Sequence, residues 1–153
     1  CRRDNIKFKL LGSYNPKALR ILAMINKLRY NLEVYGQISH EKALETYSKS
    51  WALFFPTLCE EPLPYAVVES VTMGTIPVAS KVGGVVEIVG NTYAAKFLCN
   101  PKDVNCFVKK IEEIATMTRE ELINISLKLK EDARRKFDNK KIKNELLKVF
   151  TRL

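Results

Sequence analysis

Residues 51–89 read WALFFPTLCEEPLPYAVVESVTMGTIPVASKVGGVVEIV. The order within this stretch is strand, acidic loop, short helix, strand and double-glycine loop. Trp51–Phe55 is an apolar, aromatic run with the length of a buried strand, and its side chains are expected in the core. Pro64 suits the first position of a helix, because its ring fixes φ near the helical value and the N–H it lacks would have no acceptor there. Gly74 stands where a helix stops, and Ile76–Ala79 is a second buried strand. Gly83-Gly84 permits a sharp turn and a close approach of the backbone to a ligand, although a glycine pair also serves ordinary turns. A carboxylate loop, a helix N-terminus and two glycines thus gather at the carboxyl ends of two parallel strands. That edge is where open α/β sheets bind ligands.

Upstream, Ile6–Leu11 alternates like a strand and ends at the turn signal Gly12-Ser13. A helix is expected over Pro16–Tyr30, with Ala18, Ile21, Leu22, Ile25 and Leu28 at helical spacing. Leu19, Ala23 and Met24 broaden that stripe, and Asn26 and Lys27 fall on the wet side. Leu32–Tyr35 is a short strand closed by Gly36, and Ser39 caps a helix over His40–Ser48 with Glu41 near its positive end. Downstream, Ala94–Leu98 is expected as a strand. Asp103–Met117 follows as a helix with Val104, Phe107, Val108, Ile111 and Ile114 on one side. Thr118 and Glu121 form a capping box for a long helix through Leu122, Ile125, Leu129, Ala133 and Phe137, and a last segment runs from Lys140 to Arg152. About five alternations of strand and helix predict an α/β fold: a Rossmann-like, doubly wound parallel sheet with extra C-terminal helices. Without a repeat, a low-complexity tract or an interior linker, residues 1–153 are expected to form a single domain.

A chain of 153 residues, 46% hydrophobic and 28% charged, is an ordinary globular domain able to bury a core. Its opening on Cys1 rather than Met marks it as an expected fragment. No apolar run has the length of a transmembrane helix, and no signal peptide is present. Cys1, Cys59, Cys99 and Cys106 form no CxxC pair and have no histidine at metal spacing, so no metal site is predicted. They read as reduced structural cysteines of a cytosolic protein. From Lys128 onward ten Lys/Arg face four Asp/Glu, which is about two-thirds of the net charge of +9. This excess reads first as a solvated helical face and second as a peripheral contact with an anionic membrane surface. Nucleic acid is disfavoured, because the basic residues are not interleaved with aromatics and no zinc-finger or RRM signature occurs.

Glu61 and Glu69 are the obvious carboxylate pair. The acid and base of a glycoside hydrolase stand roughly 5–9.5 Å apart. Eight residues of continuous helix would separate these backbones by about 12 Å, which suits hydrolysis poorly. Two separate hydrogen-bonding roles fit better, since a carboxylate accepts two hydroxyl hydrogens and so recognises a sugar or ribose diol. Solvated surface acids are the alternative reading. The helix start at Pro64 offers free N–H groups and a positive dipole end to an anion such as phosphate, as every helix start does. Neither a Walker motif nor GxGxxG is present. His40, the single histidine, sits at a polar helix start without a nucleophile or acid beside it, and reads as a surface residue.

Taken as an ordered set, Glu61-(seven residues)-Glu69, Gly74-Thr75-Ile76-Pro77-Val78 and Val82-Gly83-Gly84-Val85-Val86-Glu87-Ile88-Val89 resemble the C-terminal, donor-binding half of a GT-B glycosyltransferase of family 4. The resemblance is specific over residues 53–89 and looser back to Ile6 and forward to about Ala115. It implies transfer of a hexose from a nucleotide-diphosphate sugar to a glycan or lipid-linked acceptor with retention of configuration, as in polysaccharide biosynthesis. The cysteines and the basic tail add the expectation of a cytoplasmic protein, peripheral at the inner membrane face, and without a ligand cluster no cofactor or metal is expected beyond the nucleotide sugar as donor substrate.

By position, the resemblance implies that Glu61 is the catalytic residue in contact with the donor sugar and that Glu69 holds the ribose hydroxyls. Backbone amides at Leu63, Tyr65 and Ala66 would meet the sugar or diphosphate, and Gly83 and Gly84 would close around the donor. The family often has glycine where Pro64 stands, which removes one backbone donor. Its members take an Arg and a Lys for the diphosphate from a unit preceding the one at Ile6, and their acceptor-binding N-terminal domain would be the partner of this chain. Neither Lys9 nor Lys17 can be assigned to the diphosphate. The alternatives are a non-catalytic binding module of the same fold and a nucleotide-sugar epimerase, the latter fitting Glu61 and Glu69 less well.

Overall fold

The computed structural model describes residues 6–27 and 31–151, with residues 25–27 described by their backbone only. The expectations for Cys1, for residues 28–30 and for Arg152 lie outside the described residues. The chain divides into two compact units, Cys1–Glu45 and Thr46–Leu153.

The first unit contains β1 (Phe8–Leu10), α1 (Pro16–Lys27), β2 (Leu32–Val34) and the start of α2 (His40–Ser48). β1 and β2 pair in parallel, with Phe8 opposite Leu32 and Leu10 opposite Val34. Glu33 ties this ladder laterally, pairing with the Lys7 ammonium and accepting the Tyr35 hydroxyl at 2.8 Å. Pro16 opens α1 as expected, and Asn15 Oδ1 caps it by accepting the Ala18 N–H at 2.8 Å. The cap expected for α2 also forms, since Ser39 Oγ accepts the Lys42 N–H at 3.3 Å. The apolar stripe of α1 is less covered than its spacing predicts, because a ladder of three residues per strand offers little area. Leu19, Ile21 and Met24 remain 47%, 50% and 68% exposed.

The second unit contains β3 (Ala52–Phe55), α3 (Tyr65–Met73), β4 (Ile76–Ser80) and α4 (Gly84–Val89). A 3-10 turn (Tyr93–Phe97), β5 (Leu98–Cys99), α5 (Val104–Thr116), α6 (Arg119–Lys136) and α7 (Asn139–Phe150) complete it. The strands lie in the order β3-β4-β5, and both pairings are parallel. Ala52 stands opposite Ile76, Phe55 opposite Ala79, and Ala79 opposite Leu98. β4 is central and all five of its residues are buried, which is why it reads as a continuous apolar run rather than an alternating one. Val67 and Val71 of α3, Phe97, and Ile125 and Leu129 of α6 close the core around it. The α/β class with parallel strands is therefore as predicted.

Local expectations fail at several points. Ala94–Leu98 is mostly the 3-10 turn: Thr92 Oγ1 caps it by accepting the Ala94 N–H at 3.2 Å, and Ala94 and Phe97, three residues apart, are buried together. Within α5, Phe107 and Ile114 are buried, but Val104 and Val108 face outward. Trp51 and Phe54 were expected in the core and are 46% and 48% exposed. Trp51 precedes β3 and contributes its carbonyl to the Ile76 N–H at 2.9 Å, while Phe54, on the end strand of the β3-β4-β5 sheet, is only partly covered by the buried Phe107 of α5, edge-on at 5.2 Å. The cysteines are not all reduced. Cys99, ending β5, is disulfide-bonded to Cys106 in the first turn of α5, because the short connection folds back to bring their Cα atoms within 5.8 Å. Cys59 is a free, exposed thiol.

Candidate functional site

The site is built on the chain leaving β3 and β4 at their carboxyl ends. After Phe55 the chain runs through the loop carrying Glu60, Glu61 and Pro62 to Pro64, which is buried and occupies the N-cap of α3, one position earlier than expected. A proline has no side-chain acceptor, so the first turn of α3 has no side-chain cap. The Pro64 carbonyl accepts the N–H groups of Val67 and Val68 at 3.0 and 3.3 Å. Those of Tyr65 and Ala66 have no acceptor among the described residues, as is usual for first-turn amides. Tyr65 and Leu63 are exposed and Ala66 is half-buried.

β4 delivers the second half. The Lys81 N–H donates to the Cys99 carbonyl at 2.7 Å and the Val82 N–H to the Ser80 carbonyl at 2.9 Å, turning the chain into Gly83. Gly83 has φ 47° and ψ −140°, a conformation that side chains resist, and Gly84 starts α4. These glycines meet the acidic loop directly. The Gly84 N–H donates to the Glu61 carbonyl at 2.9 Å. A Cβ on Gly84 would lie 1.8 Å from the Pro62 oxygen, and one on Gly83 would lie 2.8 Å from the Glu61 oxygen. The space the glycines leave is thus filled by the backbone of Glu61 and Pro62. The double-glycine loop holds the Glu61 peptide in place while the Glu61 side chain stays exposed.

Glu69 lies on the second turn of α3 and is half-buried. Its charge acts on Tyr47, whose phenol is raised above its ordinary pKa first by burial and then by Glu69. Tyr47 is also held through its carbonyl, which accepts the buried Thr75 hydroxyl at 2.6 Å. α3 ends on Gly74 in the left-handed region at φ 79°, its N–H reaching the carbonyls of Ser70 and Val71. There the helix backbone lies against α6, since a Cβ on Gly74 would be 2.9 Å from the Ser126 carbonyl.

The structure therefore joins Glu61, Pro62, Gly83 and Gly84 through backbone contacts and carries Leu63, Tyr65, Ala66 and Glu69 on the same loop and helix. Pro62 and Tyr47 were not singled out from sequence. A proline beside an acidic residue carries no visible sign that its carbonyl will occupy the space above a distant glycine. His40 begins α2 and is exposed, as read. Among the described residues no group of three or more His, Cys, Asp or Glu could hold a metal ion. Also among them, no helix is long and apolar enough to cross a membrane. On α7 the apolar residues Ile142, Leu146, Val149 and Phe150 are all exposed, and Lys140, Lys141, Lys143 and Lys148 share the helix.

Comparison with known proteins matches this arrangement. The family model described as Glycosyl transferases group 1 matches residues 1–136. Among solved structures, sucrose-phosphate synthase from Thermosynechococcus elongatus superposes with a TM-score of 0.72 at 21% identity, covering 94% of this chain and 37% of that one. A glycosyltransferase involved in avilamycin A biosynthesis superposes with a TM-score of 0.59 at 16% identity, covering 84% of this chain and 37% of that one. At these identities the structural likeness shows the fold, and this chain spans 37% of the length of either structure. No curated protein matches the chain.

Proposed function

The chain belongs to the group 1 glycosyl transferases, and on that premise we propose that it is the donor-binding half of a retaining, family-4 enzyme. It takes a hexose from a nucleotide-diphosphate sugar and passes it to a glycan or lipid-linked acceptor held by an N-terminal domain. The observation that carries this reading is the locking of the Glu61 peptide by Gly83 and Gly84, with Glu69 following on the helix that starts beside it. In this reading the exposed Glu61 carboxylate meets the hydroxyls of the donor sugar, and Glu69 accepts both hydroxyls of the ribose. The unbonded N–H groups of Tyr65 and Ala66, at the positive end of α3, face the diphosphate.

Rate enhancement then comes from stabilising the departing diphosphate and orienting the acceptor, not from a protein acid–base pair. The nucleotide sugar is the donor substrate, and the reading requires no metal. Because the acceptor side of the cleft belongs to another domain, the chain alone binds donor weakly and turns over none. An assay of sugar transfer by the chain, with and without its N-terminal domain, tests this. Sustained transfer by the chain alone would overturn it.

A peripheral contact with anionic membrane is part of the same reading. It is favoured by α7, where a row of exposed apolar side chains is accompanied by four lysines. Co-sedimentation with phosphatidylserine-containing vesicles, but not with neutral ones, is the expected result, and equal behaviour with both would remove the contact.

A further inference from the structure

Far along the chain from the acidic loop, an open cleft of about 300 Å³ lies between the 3-10 turn and α6. That size is at the lower end of small-molecule sites. Tyr93 organises one wall. The Lys96 ammonium sits 4.2 Å from its ring centroid and donates to its hydroxyl at 2.7 Å, and the Lys128 ammonium reaches the same ring at 5.0 Å. Among the described residues neither lysine pairs with a carboxylate. Each ammonium keeps N–H donors that the ring does not use. Both lysines line the cleft, so an anion there has ammonium donors to accept from.

Glu121 and Asn124, one α-helical turn apart on α6, also line the cleft, together with Met117 and Ile125, and Lys128 follows one turn after Asn124. Glu121 accepts the Thr118 N–H at 2.7 Å through one oxygen, which fixes its carboxylate and leaves acceptor capacity for a hydroxyl. Asn124 adds an amide donor and acceptor. The lining thus offers two ammonium groups to a phosphate, and a carboxylate and an amide to hydroxyls.

We propose that this cleft binds a small phosphomonoester that carries hydroxyls, a sugar phosphate, as a site separate from the donor loop. Lys96 and Lys128 take the phosphate, Glu121 and Asn124 take hydroxyls, and Met117 and Ile125 face the apolar side of the sugar ring. The separation follows from topology. The 3-10 turn leads into the amino end of β5, whereas the acidic and glycine loops leave the carboxyl ends of β3 and β4, which run parallel to it. The proposal therefore does not depend on the donor reading.

Titration of the isotopically labelled chain with glucose 6-phosphate, glucose and inorganic phosphate, followed by amide chemical shifts, tests it. Saturable shifts centred on Tyr93, Asn124 and Lys128 are expected with glucose 6-phosphate, with a Kd of about 1 mM or tighter. The double variant Lys96→Met/Lys128→Met should weaken that binding at least about tenfold. Asn124→Ala, at an exposed position, should weaken it less and provides the test if the double variant fails to fold. Absence of saturation, shifts that survive both variants, or inorganic phosphate binding as tightly as the sugar phosphate (an adventitious ion only) would each overturn the proposal.

Discussion

Replacing Gly84 by alanine isolates the contact on which the site is built. Gly84 does not need a left-handed backbone, so an alanine is conformationally acceptable and the penalty is purely steric. Its Cβ would lie 1.8 Å from the Pro62 oxygen and 2.6 Å from the Pro62 carbonyl carbon. The acidic loop must then retreat by more than about 1 Å, at a cost typical of overpacking, about 1–3 kcal/mol. The same movement strains the hydrogen bond from the Gly84 N–H to the Glu61 carbonyl, adding up to about 1 kcal/mol. Restriction of the unfolded chain by alanine returns about 0.4–1 kcal/mol. The net expectation is a loss of about 1–3 kcal/mol, or roughly 2–4 °C of melting temperature for each kcal/mol. Gly36→Ala is the control, because a Cβ there meets nothing within 4 Å. It should fall within about 0.5 kcal/mol of the parent. Urea unfolding of both variants, with amide shifts of Glu61 and Leu63 recorded on the folded proteins, checks the argument. A Gly84→Ala chain that unfolds with the parent and leaves those shifts unmoved would refute it.

Gly74→Ala combines a left-handed φ of 79° with a Cβ 2.2 Å from Ser126 Oγ, and should lower stability by about 2–4 kcal/mol in a thermal melt; an unchanged melt would contradict the α3–α6 contact. The Cys99–Cys106 bridge closes a loop with a sequence separation of 7, so reduction or Cys106→Ser should cost about 2–3 kcal/mol. Alkylation of the unreduced chain should modify Cys59 and spare Cys99 and Cys106; labelling of either bridged residue would contradict the pairing. Glu121 has its carboxyl held below the usual range, chiefly by the hydrogen bond from the Thr118 N–H. Its folded pKa is depressed, so its contribution is present above the ordinary carboxylate pKa and is lost as pH falls through the lower folded value. Urea midpoints of the parent and Glu121→Gln should therefore converge as the pH falls below the ordinary carboxylate pKa, and parallel curves would count against the cap.

The parts of the fold that were legible in sequence are those where local and tertiary demands coincide. β4 is buried along its whole length, so its apolar run survives as a pattern, and Gly74 must be left-handed whatever packs on it. The Thr118–Glu121 capping box is closed within four residues and appears as read, with the Thr118 hydroxyl accepting the Glu121 N–H at 3.2 Å. Where tertiary packing decides, the pattern misleads. α4 spans six residues rich in valine, too few to display a helical period, and only burial of Val85, Ile88 and Val89 reveals its inner face. The exposure of Phe54 depends on how far α5 reaches over the end strand of the sheet, and an apolar aromatic run of four or five residues does not record that. In the candidate site, residue types were legible while their contacts were not. The glycine pair reads either as an ordinary turn or as a close approach to a ligand, and in the structure the space beside it holds the peptide of Glu61 and Pro62. The disulfide was missed for a related reason: a spacing of seven between cysteines carries no sign of a chain that folds back between strand and helix.

The donor site itself is tested most directly by calorimetric titration of the chain with UDP-, GDP- and ADP-hexoses beside Glu69→Ala. The account predicts weak, saturable binding of one nucleotide class, lost on substitution of Glu69 while the variant remains folded. Binding that is indifferent to Glu69, or no binding by any of the three even when the N-terminal domain is present, would contradict it.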